Sequence, residues 1–107
     1  MKKYAVVIKD LTQAIKLNPT QAESYAFRAS AYRHLKKLMA AKSDVEQALR
    51  LNANHVAGLL ERGILRRLEG DQAGARADWL KVLTLAPDTP AGVSAQANLE
   101  KMDVKKP

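Results

Sequence analysis

The side chains in this 107-residue chain best suited to metal ligation or proton transfer are two histidines, His34 and His55, and their spacing serves neither role. They stand 21 residues apart and lack a ligand-type residue four positions on, whereas a helical zinc pair needs both ligands on one face within about a turn. Cysteine is absent, which excludes disulfides, thiol nucleophiles and thiolate zinc sites. No G-x-S-x-G nucleophile turn and no phosphate-cradling glycine loop is present, and the glycines sit singly at packing or turn positions. The sequence therefore predicts no catalytic residue, no metal and no cofactor, and an enzyme is the losing reading. The polar residues that do recur in a pattern are Arg28 with Asp44 and Arg62 with Asp78, each pair 16 residues apart and the second pair 34 residues after the first. On two antiparallel helices that separation sets a guanidinium opposite a carboxylate, so the expected role is an ion pair inside each helix pair that fixes registry.

The elements that must carry these pairs show the same period. Sliding the chain 34 residues against itself makes 16 of the 73 overlaid pairs identical, where roughly six would match by chance. Asp10 falls on Asp44 and then Asp78, and Leu17 on Leu51 and then Leu85. Residues 3 to 17 read as a helix ended by Asn18-Pro19. Propensity alone makes one long helix of residues 21 to 51, which contain neither Gly nor Pro. The period overrides propensity by aligning Lys36-Lys37 with Gly70-Asp71, which places a turn there and gives helices over about 21–35 and 38–51. A polar break at Asn52 to Asn54, a helix pair over 55–87 and a last helix capped by Asp88 or Thr89 complete the reading, with Lys105 to Pro107 as a frayed end.

Within each unit the recurring positions are small or apolar: Leu59, Gly63, Ala75, Trp79, Val82 and Pro87 in one, and Tyr25, Ala29, Tyr32, Ala41, Val45 and Ala48 in the one before. This pattern and its period resemble the tetratricopeptide repeat family. The resemblance implies an all-α, right-handed α-solenoid of antiparallel helix pairs, about two and a half repeats in six helices. It divides a single domain over 1–107 into the second helix of a partial repeat (1–20), full repeats over 21–54 and 55–88, and a terminal capping or half-repeat helix over 89–104. Ala29, Gly63 and Ala97 should then lie where the first helix of a repeat meets its second.

In this family the first helices of successive repeats line a concave groove, so the resemblance implies a protein-interaction scaffold that binds a peptide or partner protein there. Leu59, Gly63 and Arg66 would face the second helices, which leaves Leu60, Ile64 and Leu68 as an apolar stripe; Ala26, Phe27, Ser30 and His34 occupy the matching face one repeat earlier. Arg33, Arg67 and Lys101, spaced by 34, would stack as a basic ladder suited to an acidic and apolar partner. The family's clamp for chaperone tails uses Asn and Lys at groove positions. This chain departs from it, with Ser30 and Ile64 where Asn or another polar residue is expected and Glu61 placed to repel a carboxylate, which argues against a chaperone-tail adaptor.

A net charge of +7 makes a basic nucleic-acid-binding module the alternative function. Lys and Arg are spread along all the helices, several beside acids, as Lys42 is with Glu46, which disfavours a nucleic-acid partner. No apolar run approaches the roughly 18 residues of a membrane span, and the opening MKKYAVVIKD is charged too soon for a signal peptide. A soluble protein of the cytoplasm or the periplasm is expected. The chain starts with a second-type helix carrying Val7, Leu11 and Ala14 and ends with a first-type helix carrying Val93, Ala97 and Leu99, so these unpaired halves also admit a homo-oligomer.

Overall fold

The computed structural model describes residues 3–103, which leaves the expected frayed end at Lys105 to Pro107 outside the described residues. Six α-helices follow one another: α1 (Tyr4–Leu17), α2 (Ala22–His34), α3 (Leu38–Leu51), α4 (Val56–Leu68), α5 (Gln72–Leu85) and α6 (Pro90–Asp103). Each packs on its sequence neighbours, and in addition α2 packs on α4 and α4 on α6. The result is an elongated stack measuring 48 × 27 × 23 Å. Local contacts of this kind are how a chain with one Phe and one Trp builds a core, because each helix pair buries its apolar face against the next.

The breaks between helices have separate causes. Lys36 and Gly70 both take positive φ, 63° and 90°. After each, the next residue's N–H reaches back to a carbonyl in the helix just ended: Lys37 to Tyr32 at 2.9 Å and Asp71 to Arg66 at 2.8 Å. These are the same helix-ending hydrogen bonds repeated one period apart, and they explain why the chain turns at Lys36 despite its unbroken helical composition. The α4 N-terminus is capped by His55, whose Nδ1 accepts from the Gly58 N–H at 3.1 Å, so this histidine has a structural role. Asp71 caps α5. Of the two candidates before α6, Thr89 supplies the cap, its hydroxyl accepting from the Gly92 N–H at 3.1 Å.

Inside each hairpin the helices meet at a small residue. Ala29 of α2 and Ala41 of α3 are fully buried with Val45, and one period later Ala75 and Trp79 are fully buried beside Gly63. A methyl group placed on Gly63 would lie 2.7 Å from Trp79 Cδ1, inside any tolerable contact. Gly with Trp in one hairpin thus takes the place of Ala with Val in the other, a trade of volume across one contact. The third member of the series departs from expectation. Ala97 is exposed, because among the described residues no second helix lies against that side of α6; Ala95, Leu99 and Met102 are the buried face instead, packed with Leu59, Trp79 and Val82. Leu99, expected on the uncovered side, therefore belongs to the core.

Gly63→Ala should destabilise the chain by about 1–3 kcal/mol through overpacking, and Gly63→Ala with Trp79→Val should cost less than the two changes summed, since the pair recreates the Ala29 and Val45 combination. Urea unfolding of the four proteins in that cycle checks it. Lys36→Gly should stabilise by about 0.5–1 kcal/mol, because glycine adopts the left-handed turn without a Cβ penalty; the same assay reads this out.

Candidate functional site

The charged pairs are formed as the 16-residue spacing predicts. Arg28 donates through Nε and Nη2 to the two carboxylate oxygens of Asp44 at 2.7 and 2.8 Å, and Arg62 makes the same fork on Asp78 at 3.0 and 2.9 Å. Arg66 adds a third donor to Asp78 at 3.1 Å. Both aspartates are buried. The hydrogen bond to Asp44 raises the Arg28 guanidinium above its ordinary pKa against the opposing effect of burial, and Asp78 acts likewise on Arg62. An upward shift on an arginine means that its stabilising contribution is complete below the ordinary guanidinium pKa and fades only as pH rises through the raised one, so from the arginine side these pairs persist at neutral pH.

On the other side of the first helices lies a groove of about 530 Å³ lined by Arg33, Ile64, Arg67, Leu68, Trp79 and Asn98. Helices α2, α4, α5 and α6 each contribute, so the groove exists only once the stack has formed. Four of the nine residues the sequence assigned to a partner surface, Arg33, Ile64, Arg67 and Leu68, come together here. Leu68 is 58% exposed. Ile64 is half-buried and packs with Leu60 against the core of α4, α5 and α6, so the expected stripe is apolar floor at one end and open surface at the other. Leu60 itself does not line the groove.

Phe27, Ser30, His34 and Lys101 also lie outside its walls. Phe27, 48% exposed, holds on α2 the register position that Glu61 holds on α4. The His34 ring stacks on Tyr4 with centroids 4.5 Å apart, and its Nδ1 hydrogen-bonds the Ser30 carbonyl at 2.8 Å, which ties it to α1. Lys101 is exposed on α6. Sequence reasoning missed Asn98 as a wall, although the period sets it on Ser30 and Ile64. It placed Trp79 in the core alone, whereas this fully buried ring also backs the groove and donates through Nε1 to the Leu60 carbonyl at 3.3 Å.

The basic ladder is not uniform. Arg33 forms an ion pair with Glu61 through Nε and Oε2, with Nη2 3.5 Å from Oε1, which bolts α2 to α4. The repulsion of a carboxylate expected from Glu61 therefore falls away, because this buried acid is already matched by a guanidinium. At the corresponding place on α6 stands Ala95, so Arg67 has no such acid, and among the described residues no carboxylate pairs with it. Arg28, Arg33, Lys42, Arg62 and Arg66 all face carboxylates, so these five of the chain's 18 basic side chains are matched within the structure. Among the described residues no cluster of His, Asp or Glu is arranged to hold a metal, and no helix is long and apolar enough to cross a membrane.

The tetratricopeptide repeat profile matches residues 22–55. The solved structure of the first such domain of human RPAP3 superposes with a TM-score of 0.82 at 31% identity, covering 94% of this chain and 77% of that one. The chain belongs to the tetratricopeptide repeat family. A second solved tetratricopeptide structure, the first such domain of Spaghetti (RPAP3) bound to the HSP90 peptide SRMEEVD, matches with a TM-score of 0.81 at 29% identity over 95% of this chain and 79% of that one. Among curated relatives, the TPR repeat-containing thioredoxin TDX of Arabidopsis thaliana is 38% identical over 76 residues, 71% of this chain. This chain's match spans 20% of that protein, so it corresponds to a small part of such relatives.

The tetratricopeptide stack separates two arginines that the sequence treats alike. Arg33→Ala should lower stability by about 1–3 kcal/mol by leaving the buried Glu61 unpaired, while Arg67→Ala should change it by less than about 0.5 kcal/mol. Chemical denaturation of both variants distinguishes them.

Proposed function

We propose that this tetratricopeptide module is a non-enzymatic protein-interaction scaffold. Its groove takes an extended peptide that combines an acidic group with an apolar side chain. The observation that carries this reading is Arg67: a cation without a carboxylate partner among the described residues, beside exposed Leu68 and half-buried Ile64 in one concavity. A guanidinium so placed offers a fork to a carboxylate, and the apolar wall offers area to a neighbouring side chain. Lys101, one period further on, extends positive charge along the peptide path, and Asn98 offers an amide for hydrogen bonding. That a neighbouring structure holds the acidic peptide SRMEEVD supports the choice of ligand class. Ser30 still stands where the family's chaperone clamp wants Asn, and Ile64 where it wants a polar residue, so the contacts proposed here are this chain's own.

Fluorescence anisotropy with labelled SRMEEVD and with its neutral counterpart SRMQQVN tests the proposal. The acidic peptide should bind more tightly, and Arg67→Glu should weaken it by at least about tenfold, or 1.4 kcal/mol, without altering the far-ultraviolet circular dichroism. Equal binding of the two peptides, or an unchanged affinity for Arg67→Glu, would remove the groove from consideration.

A further inference from the structure

We infer that the turn between α2 and α3 docks this module on an anionic lipid surface, with Met39 and its neighbouring leucines entering the acyl boundary while Lys36 and Lys37 meet the phosphates.

The next hairpin is an internal control for that turn. Residues 35–39, Leu-Lys-Lys-Leu-Met, stand in register with residues 69–73, Glu-Gly-Asp-Gln-Ala, and all ten are exposed. The first turn carries residues that folding does not ask for, and two of them work against it. Lys36 holds a positive φ of 63° where Gly70 holds 90° without a Cβ. Lys37 stands at the N-cap of α3 with no side-chain hydrogen bond to the helix, whereas Asp71 caps α5 by accepting from the Gly74 N–H at 2.8 Å. The Lys37 cation also lies at the positive end of the helix dipole. Leu35, Leu38 and Met39 replace Glu69, Gln72 and Ala73, and are 39%, 41% and 85% exposed. The place of Met39 is exposed in α1 and α5 too, where Ala5 and Ala73 fill it, so its exposure belongs to the repeat and not to the position of the hairpin in the stack. The fold has no use for a large apolar side chain there; a partner surface does.

Charge and shape select a membrane surface as the occupant. Tyr4 stacked on His34 holds the start of α1, with exposed Lys3, at the same end of the stack, which adds a third cation. The acids of the next turn each face a cation already: Glu69 lies 3.4 Å from Lys42, and Asp71 4.0 Å from Arg66. The turn is the tip of a hairpin and shares no residue with the groove around Arg67, so it offers a convex point where a peptide would need a trough. A convex tip with the unbranched Met39 as its most exposed side chain suits a soft, flat surface. Apolar side chains sink past the headgroups there, and lysine stems reach back to the phosphates. The inference stands apart from the peptide reading, since the two surfaces have no residue in common.

Sedimentation of the chain with phosphatidylcholine vesicles, with and without about one-third phosphatidylserine, tests the inference. The native chain should pellet with the anionic vesicles and stay in solution with the neutral ones. Exchanging the turn for its counterpart (Leu35→Glu, Lys36→Gly, Lys37→Asp, Leu38→Gln and Met39→Ala together) should lower the partition at least about tenfold while raising the urea midpoint, so that the loss is not one of folding. The chain carries a net charge of +7, and this exchange lowers it by four. Lys9→Glu with Lys81→Glu removes the same charge at exposed positions elsewhere and should keep most of the binding. Met39→Ala changes no charge and should weaken binding at least about threefold. The inference is overturned if the native chain ignores anionic vesicles, if the charge-matched control loses binding as fully as the exchange, or if Met39→Ala binds as well as the native chain. A lowered urea midpoint for the exchange would show that the fold needs these five residues, and would overturn it equally. Indifference to vesicles together with binding of the peptide SRMEEVD that the exchange abolishes would give the turn to an acidic protein and not to a membrane.

Discussion

A carboxylate buried inside each hairpin is the constraint on which the rest of this structure depends. Asp44 and Asp78 lie between two helices where an unpaired charge would be expensive, so each requires a guanidinium from the opposite helix. The forks from Arg28 and Arg62 satisfy both oxygens, and no buried side-chain polar atom among the described residues is left without a partner. Such a geometry tolerates one sliding register and one facing angle. Hydrophobic contacts between Ala, Val and Leu are less particular about either. The aspartates therefore choose among packings that the apolar core would accept, and the small residues beside them let the backbones come close enough for the choice to be made.

From that registry the groove follows. Once α2, α4 and α6 are stacked at a fixed spacing, residues one period apart line up across them, and their charges are compared directly. Arg33 finds Glu61 and becomes part of the frame. Arg67 finds Ala95 in the matching place on α6 and pairs with no carboxylate among the described residues. A ladder that looks regular along the chain thus has Arg33 tied into the structure and Arg67 without an acid of its own among the described residues.

Much of this was legible in the sequence because a repeat writes the same physical demand several times. The turn at Lys36 was visible only through its alignment with Gly70; its own composition argues for continued helix, and the left-handed backbone there is imposed by the hairpin. The Arg and Asp pairs were visible because both partners recur. The Arg33 and Glu61 pair was not, since Glu61 has Phe27 before it and Ala95 after it in register, and a contact made once leaves no periodic trace. Ala97 was misjudged for a related reason: identity in register predicts burial only where the opposing helix is present. His34 was assigned to the partner surface from its helical face, but the stacking on Tyr4 depends on the path of α1, which that face does not encode.

Trp79 has a consequence for how the molecule can be watched. It is the chain's one tryptophan, fully enclosed, with its indole nitrogen directed at the Leu60 carbonyl and its ring forming the back of the groove. An indole in such surroundings emits at short wavelength, and the emission responds to any water or charge that approaches the ring. The residue that fills the hairpin is therefore also a native optical gauge of that contact, sensitive to loosening of α4 against α5, with no label attached.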